Sequence, residues 1–183
     1  MAQPERRTQN LRIGRFSIPG AQYFLTLCTK DRAPVFTSKT EAQRGISALG
    51  QLKEAGDIDL LAATVMPDHV HLLFALSGKL TLGQAMAKFK NLARDRGRTA
   101  WHWLDDGFEH RLRPDELAEN YGLYIFMNPY RARLIPLTAV WPLWLCPDST
   151  RFRFLTLLNA DGTPPAEWLE IIEAISVGLA TGE

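Results

Sequence analysis

The stretch Val65-Met66-Pro67-Asp68-His69-Val70-His71-Leu72-Leu73-Phe74 decides how the rest of the chain is read. Pro67 presets φ and Asp68 can bond the backbone just ahead of it, so the pair marks a turn. An apolar run over residues 60–66 precedes the turn, and another follows it, ending near Leu76. The pattern predicts a hairpin with His69 and His71 on its second strand. Side chains alternate faces along a strand, so residues i and i+2 point the same way. Two imidazoles on one face of a strand otherwise built of Val, Leu and Phe must each find a partner. Spacing alone leaves two readings open: a metal site, since imidazole is the commonest metal-ligating side chain, or a surface-facing pair.

Outward from the hairpin, residues 23–29 are rich in β-formers and predict a first strand. Residues 38–55 carry Ile46, Leu49 and Leu52 at helical spacing, with Gly56 as a stop. Residues 81–98 predict a second helix with Leu82, Met86, Phe89 and Leu92 on one face. Lys88, Lys90, Arg94, Arg96 and Arg98 crowd its second half, more cations than the helix dipole calls for, which predicts phosphate contacts. Residues 108–113 alternate and predict a short strand. Pro114-Asp115-Glu116 opens a third helix holding Tyr121, Tyr124, Asn128 and Pro129, with the proline expected to kink or end it. From Leu134 the chain reads as apolar loop, and residues 165–178 as a last short amphipathic helix. The order β-α-β-β-α-β followed by a helix predicts an α+β fold, the ferredoxin-like split βαβ sandwich of antiparallel sheet and helices, with a C-terminal helical extension. Its third strand, the one with the histidines, is central.

At 183 residues and 46% apolar content the chain is expected to form one domain with a real core. Cys28 and Cys146 are far apart and fit no disulfide framework or Cys-x-x-Cys site, in keeping with a reducing, cytoplasmic setting. The polar start lacks the apolar segment of a signal peptide, and the longest apolar region is broken by Asn128, Pro129, Arg131 and Arg133, so no membrane span is expected. The net charge of +1 hides an asymmetry. Residues 1–134 hold 19 Lys and Arg against 14 Asp and Glu, a net +5; residues 135–183 hold 2 against 6, a net −4. An anion-binding face is therefore expected in the first part. Arg6, Arg7, Arg12 and Arg15 make residues 1–20 a basic arm that either lies on phosphates or is a solvated tail.

Met66-Pro67-Asp68-His69-Val70-His71-Leu72-Leu73 resembles the His-hydrophobic-His signature of the HUH single-tyrosine transposases. Tyr124-Ile125-Phe126-Met127-Asn128-Pro129-Tyr130-Arg131-Ala132-Arg133-Leu134-Ile135 resembles the Tyr-Ile-x-x-Asn-Pro-x-Arg-Ala-Gly-Leu-Val block of one branch, the REP-associated tyrosine transposases, and Trp141-Pro142 is similar to that branch's Trp-Pro. The resemblance runs from about Gly14 to Trp144. It implies a transposase-like strand transferase that cleaves and rejoins single-stranded, hairpin-forming repetitive palindromic DNA during transposition or recombination. In this chemistry Tyr124 is the nucleophile, and a 5′-phosphotyrosine and a free 3′-OH are formed. His69, His71 and Asn128 hold a divalent metal, Mg²⁺ or Mn²⁺, and no small-molecule cofactor is implied. The DNA contacts expected are Arg12, Arg15, Lys88, Lys90, Arg94, Arg96, Arg98 and Arg131. Residues 1–146 would be the catalytic domain and 147–183 a C-terminal extension packed on it. A bacterial, nucleoid-associated protein is implied, as a monomer rather than a dimer.

Residue chemistry agrees with the resemblance in one respect: Tyr124 and Asn128 are four apart and share a helix face. Tyr121 and Tyr130 remain alternative nucleophiles, and His110 a further ligand, base or DNA contact. Three departures stand out. Phe126 and Met127 are apolar where the block is often polar, Arg133 replaces its Gly, and Trp144-Leu145-Cys146 replaces polar residues after Trp-Pro. Rival readings are a domesticated DNA-binding protein of the same fold that does not cut, a metal-dependent phosphodiesterase using water, and a small-molecule-binding domain.

Overall fold

The computed structural model of the chain describes residues 17–95 and 97–181. The expected DNA contacts Arg12, Arg15 and Arg96 lie outside them, as does most of the basic arm. Strands β1 (Gln22–Cys28), β2 (Ile58–Val65), β3 (His69–Leu76), β4 (Phe108–Arg111) and β5 (Trp144–Leu145) form one antiparallel sheet in the order β4-β1-β3-β2-β5. Among the described residues four α-helices accompany it: α1 (Lys39–Glu54), α2 (Leu82–Leu92), α3 (Ala118–Arg131) and α4 (Trp168–Ser176). This is the split βαβ sandwich expected from the sequence, with β3 in the middle. The two-residue β5, which pairs Leu145 with Ala63 and Trp144 with Thr64, stands where the sequence reads as loop.

Strand alternation divides the core. Val70, Leu72, Phe74 and Leu76 face α1 and α2, with Leu25, Leu27, Leu49 and Phe89. Leu73 faces α3 and α4, with Phe24, Tyr121, Tyr124 and Phe152. His69 and His71 share parity with Leu73 and so emerge under α3. A bulge between Leu60 and Ala62 lets Leu61 and Ala62 both face α3. It shifts the phase of β2, and Thr64 comes to lie opposite His71.

Helix α3 is buried over every residue from Tyr121 to Tyr130. A helix apolar all round must be covered all round. The sheet covers one side. Phe152, Phe154, Trp168 and Ile172, from the chain after β5, cover the other. Pro129 falls in the last turn and the helix runs only two residues beyond it. It ends in a Schellman motif, Leu134 N–H to Pro129 O at 2.9 Å and Arg133 N–H to Tyr130 O at 3.0 Å, with Arg133 at φ 55°.

Helix α2 is shorter than the sequence pattern. It opens with a capping box between Thr81 and Gln84 and stops at Leu92, not Arg98. Past it, the Asp95 carbonyl accepts from Arg98 and Thr99 N–H and its carboxylate from Gly97 N–H, which turns the chain. Arg94 and Arg98 therefore belong to this turn and not to a helix face. No helix among the described residues is long and apolar enough to cross a membrane.

The Phe152 ring lies against Gly122, where a Cβ would overlap it. Gly122→Ala is expected to push Phe152 out and to destabilise the chain by about 1–3 kcal/mol, readable as a lowered midpoint in chemical denaturation.

Candidate active site

Asp68, His69 and His71 reach the site from the start of β3, Thr26 from β1, and Tyr124, Asn128 and Arg131 from one face of α3 at i, i+4 and i+7. His71 is 0% and His69 7% exposed. Their Nε2 atoms are 3.0 Å apart, and the Asn128 amide lies 3.1 Å from His71 Nε2. Tyr124, 0% exposed, has its ring centroid 5.5 Å from that of His71, and the Arg131 guanidinium sits 5.0 Å over the Tyr124 ring. Phe24 stacks on His71 from beneath, at 5.5 Å.

The outer nitrogens fix how the rings are protonated. His69 Nδ1 is 2.6 Å from the Asp68 carboxylate, which can only accept, so Nδ1 carries hydrogen. Arg32 Nη1 holds the other Asp68 oxygen at 3.3 Å. His71 Nδ1 is 3.0 Å from Thr26 Oγ1, whose own hydrogen is donated to the Thr181 carbonyl at 2.9 Å. The threonine thus accepts from His71 Nδ1–H. In neutral rings both Nε2 atoms then carry lone pairs, aimed at each other across 3.0 Å. Two such lone pairs repel unless a cation, a proton or a metal, lies between them.

The donor set fits a divalent metal. Two nitrogen ligands at about 2.1 Å from one ion and at right angles to each other would be about 3 Å apart, the separation found. Asn128 supplies the third group, and a flip of its amide puts oxygen where nitrogen is assigned. Among the described residues no group of three His, Cys, Asp or Glu is placed to hold a metal ion, so the candidate ligands here are two imidazoles and an amide. A cleft of about 430 Å³, lined by Met66, Pro67, His69, Asn128, Arg131 and Leu134, opens beside them.

The remaining candidates fall elsewhere. The Tyr130 hydroxyl donates to Ala139 O. Tyr121 donates to Glu116 at 3.0 Å, and His110 Nε2 lies between the two Glu116 oxygens at 2.8 and 2.7 Å. His110 is thus tied within the fold, apart from the β3 histidines. Lys88 is ion-paired with Asp57, beyond the Leu76 end of β3 and away from His69. Lys90 and Arg94 line a separate cleft, and Arg98 is 87% exposed beside Asp95. Thr26, Arg32 and Thr181 carry no local signal of a role, and Asp68 reads from sequence only as a turn former. An acid directly before a strand histidine was the one available signal.

The family model described as "Transposase IS200 like" matches residues 17–106. A Haemophilus influenzae protein assigned as a REP-associated tyrosine transposase is 26% identical over 139 residues, 67% of this chain and 78% of that one. A solved structure of a REP-associated tyrosine transposase bound to a REP hairpin superposes with a TM-score of 0.61 at 20% identity, covering 79% of this chain and 82% of that one, and so shares the fold. The chain is accordingly similar to the IS200-like transposases over residues 17–106. Within them its likeness is to the REP-associated tyrosine transposases.

Burial, and then the hydrogen bond to Glu116, push the Tyr121 hydroxyl up to about 12. Burial alone would raise Glu116 too, but bonds from Arg113 N–H, His110 and Tyr121 outweigh it and hold the carboxyl below its usual range. Stability contributed by Tyr121 is therefore present below pH ~10, the ordinary tyrosine value, and lost as pH rises toward 12. A tyrosine absorbance titration is expected to show a component near 12 that disappears in Tyr121→Phe.

Proposed function

We propose that the chain cleaves and rejoins single-stranded DNA next to hairpin-forming repeats, with Tyr124 as nucleophile. The convergence of two Nε2 lone pairs on one point, with Asn128 and Tyr124 alongside, carries this reading. A phenol is almost fully protonated at neutral pH, so attack needs help. The Tyr124 oxygen would bond to phosphorus as the P–O3′ bond breaks. The phenolic proton leaves to solvent or a base, and the departing 3′ oxygen takes up a proton. The 5′ end stays on the tyrosine, and the reverse attack by a 3′-OH reseals the strand without an external energy source. His69, His71 and Asn128 would hold Mg²⁺ or Mn²⁺, which polarises the scissile phosphate. Arg131, over the tyrosine ring, offers fixed positive charge where negative charge develops. The hairpin substrate is carried over from the hairpin-bound relative of the same fold. The reading takes the protein to act as a monomer.

The test is a covalent adduct. Hairpin oligonucleotides with unpaired flanks, labelled at either end, are incubated with the protein and Mn²⁺ and run on a denaturing gel. A retarded band carrying only the label downstream of the cut is expected, lost with chelator and in Tyr124→Phe and His69→Ala. Cleavage that survives Tyr124→Phe without an adduct would instead establish a water-using phosphodiesterase, and hairpin binding without cleavage a domesticated binder.

Asp68 orients His69 through Nδ1 and strengthens Nε2 as a ligand. Asp68→Asn is expected to weaken Mn²⁺ binding by roughly 10–100-fold, measured by electron paramagnetic resonance of free Mn²⁺ without DNA. Unchanged affinity would remove His69 from the ligand set.

A further inference from the structure

A second cleft, of about 480 Å³, lies apart from the histidine cleft, at the C-terminal end of α2. Lys30, Lys90, Asn91, Arg94, His102 and Trp103 line it. Three fixed cations and a histidine line it beside a single carboxylate, Asp105, and Lys90 Nζ donates to the Leu104 carbonyl on its wall at 2.7 Å. The volume is in the range of small-molecule sites. Its aromatic wall is built. Trp103 is held by its indole N–H on Lys90 O at 3.0 Å and by packing on Phe36, Phe89 and Trp101, while the His102 ring is exposed on the rim. Arg94 Nη2 makes one long bond, 3.3 Å to Thr99 O, and its buried Nε has no hydrogen-bond partner among the described residues.

The linings of the two clefts have no residue in common, but the turn from Thr29 to Arg32 joins them. Lys30 N–H bonds His102 O at 2.8 Å, on one side. Thr29 N–H and Oγ1 both donate to Asp68 O at 2.9 Å, and Arg32 reaches the Asp68 carboxylate, on the other. Between them Asp31 and Arg32 stand at φ 57° and 52°. Two consecutive non-glycine residues in the left-handed region are strained, and such strain concentrates at functional sites. Lys30, which lines this cleft, is next in the chain to Thr29, which bonds Asp68 of the histidine cleft, so a strand leaving one cleft for the other follows this single turn.

We propose that the Lys30–Lys90–Arg94–His102–Trp103 cleft binds an unpaired nucleotide flanking the scissile phosphate, its phosphate on the cations and its base against His102 and Trp103. The assignment rests on the strand-cleaving reading above and fixes where the uncut part of the strand is held. Single-stranded sites of this kind combine a basic groove with stacking rings.

The test uses the full chain and a hairpin oligonucleotide whose unpaired flank carries one abasic residue, moved position by position. Binding is read by anisotropy in chelator, where no cleavage occurs. At one or two adjacent positions the missing base is expected to weaken binding roughly five- to hundredfold. In Lys30→Ala/His102→Ala, whose side chains are exposed and outside the core, binding of the intact oligonucleotide falls by a similar factor and the abasic penalty at those positions shrinks to near one. Penalties of unchanged size in the variant, or none in the wild type, overturn the assignment. The adduct assay run alongside separates the two readings. An adduct with unchanged abasic penalties sinks the cleft alone. Abolished penalties without an adduct sink the cleavage chemistry and keep the cleft as a nucleotide site. Failure to bind any hairpin overturns both.

Discussion

Two imidazoles lie on the covered face of a central strand, and the rest of the structure answers to that constraint. A buried ring nitrogen without a partner costs more than a lost surface bond. Here each ring is tied at Nδ1, His69 to Asp68 and His71 to Thr26, and each is thereby turned to present Nε2 inward. The ties come from different places: the turn before the strand, the neighbouring strand, and, through Thr26, the carbonyl of Thr181 far along the chain. The site is therefore held by the whole sandwich, and the chain after β5 takes part in it.

The path from sequence to this arrangement was legible where it depended on short-range pattern. Pro67-Asp68 between apolar runs gave the hairpin, and the period-2 rule gave the shared face of His69 and His71. The i, i+4 spacing placed Tyr124 with Asn128. What was hidden depends on register between distant strands. Thr26 matters because it pairs with His71 across β1 and β3, and nothing local marks it. The Leu61 bulge is likewise invisible, since a run such as Leu60-Leu61-Ala62-Ala63 has no alternation to interrupt. The overlong second helix has a different cause. Arg94, Arg96 and Arg98 are good helix formers, and the propensity they lend was overruled by Asp95 and Gly97, which give the backbone a local turn.

The departures from the family block are explained by what covers α3. Phe126 and Met127 stand where polar residues are common, and both are buried. Phe126 meets Phe154 at 5.6 Å and Trp144 at 5.3 Å, ring centroid to centroid, with Trp168 at 6.4 Å. Trp144 is itself one of the departures. The two changes are thus halves of one contact: once residues 144–172 fold over the outer side of α3, that side must be apolar. Each such side chain contributes about 1.5–3 kcal/mol on burial, more than a polar residue exposed at the same place could supply. Arg133 follows another logic. The Schellman motif requires a left-handed residue there, the place where glycine is free of steric cost. Arginine takes the same conformation at a cost of about 1–2 kcal/mol, and the surrounding packing absorbs it. The family's glycine therefore marks a backbone requirement that this chain still meets. The apolar residues at 126 and 127 belong to a helix surface that the chain after β5 covers.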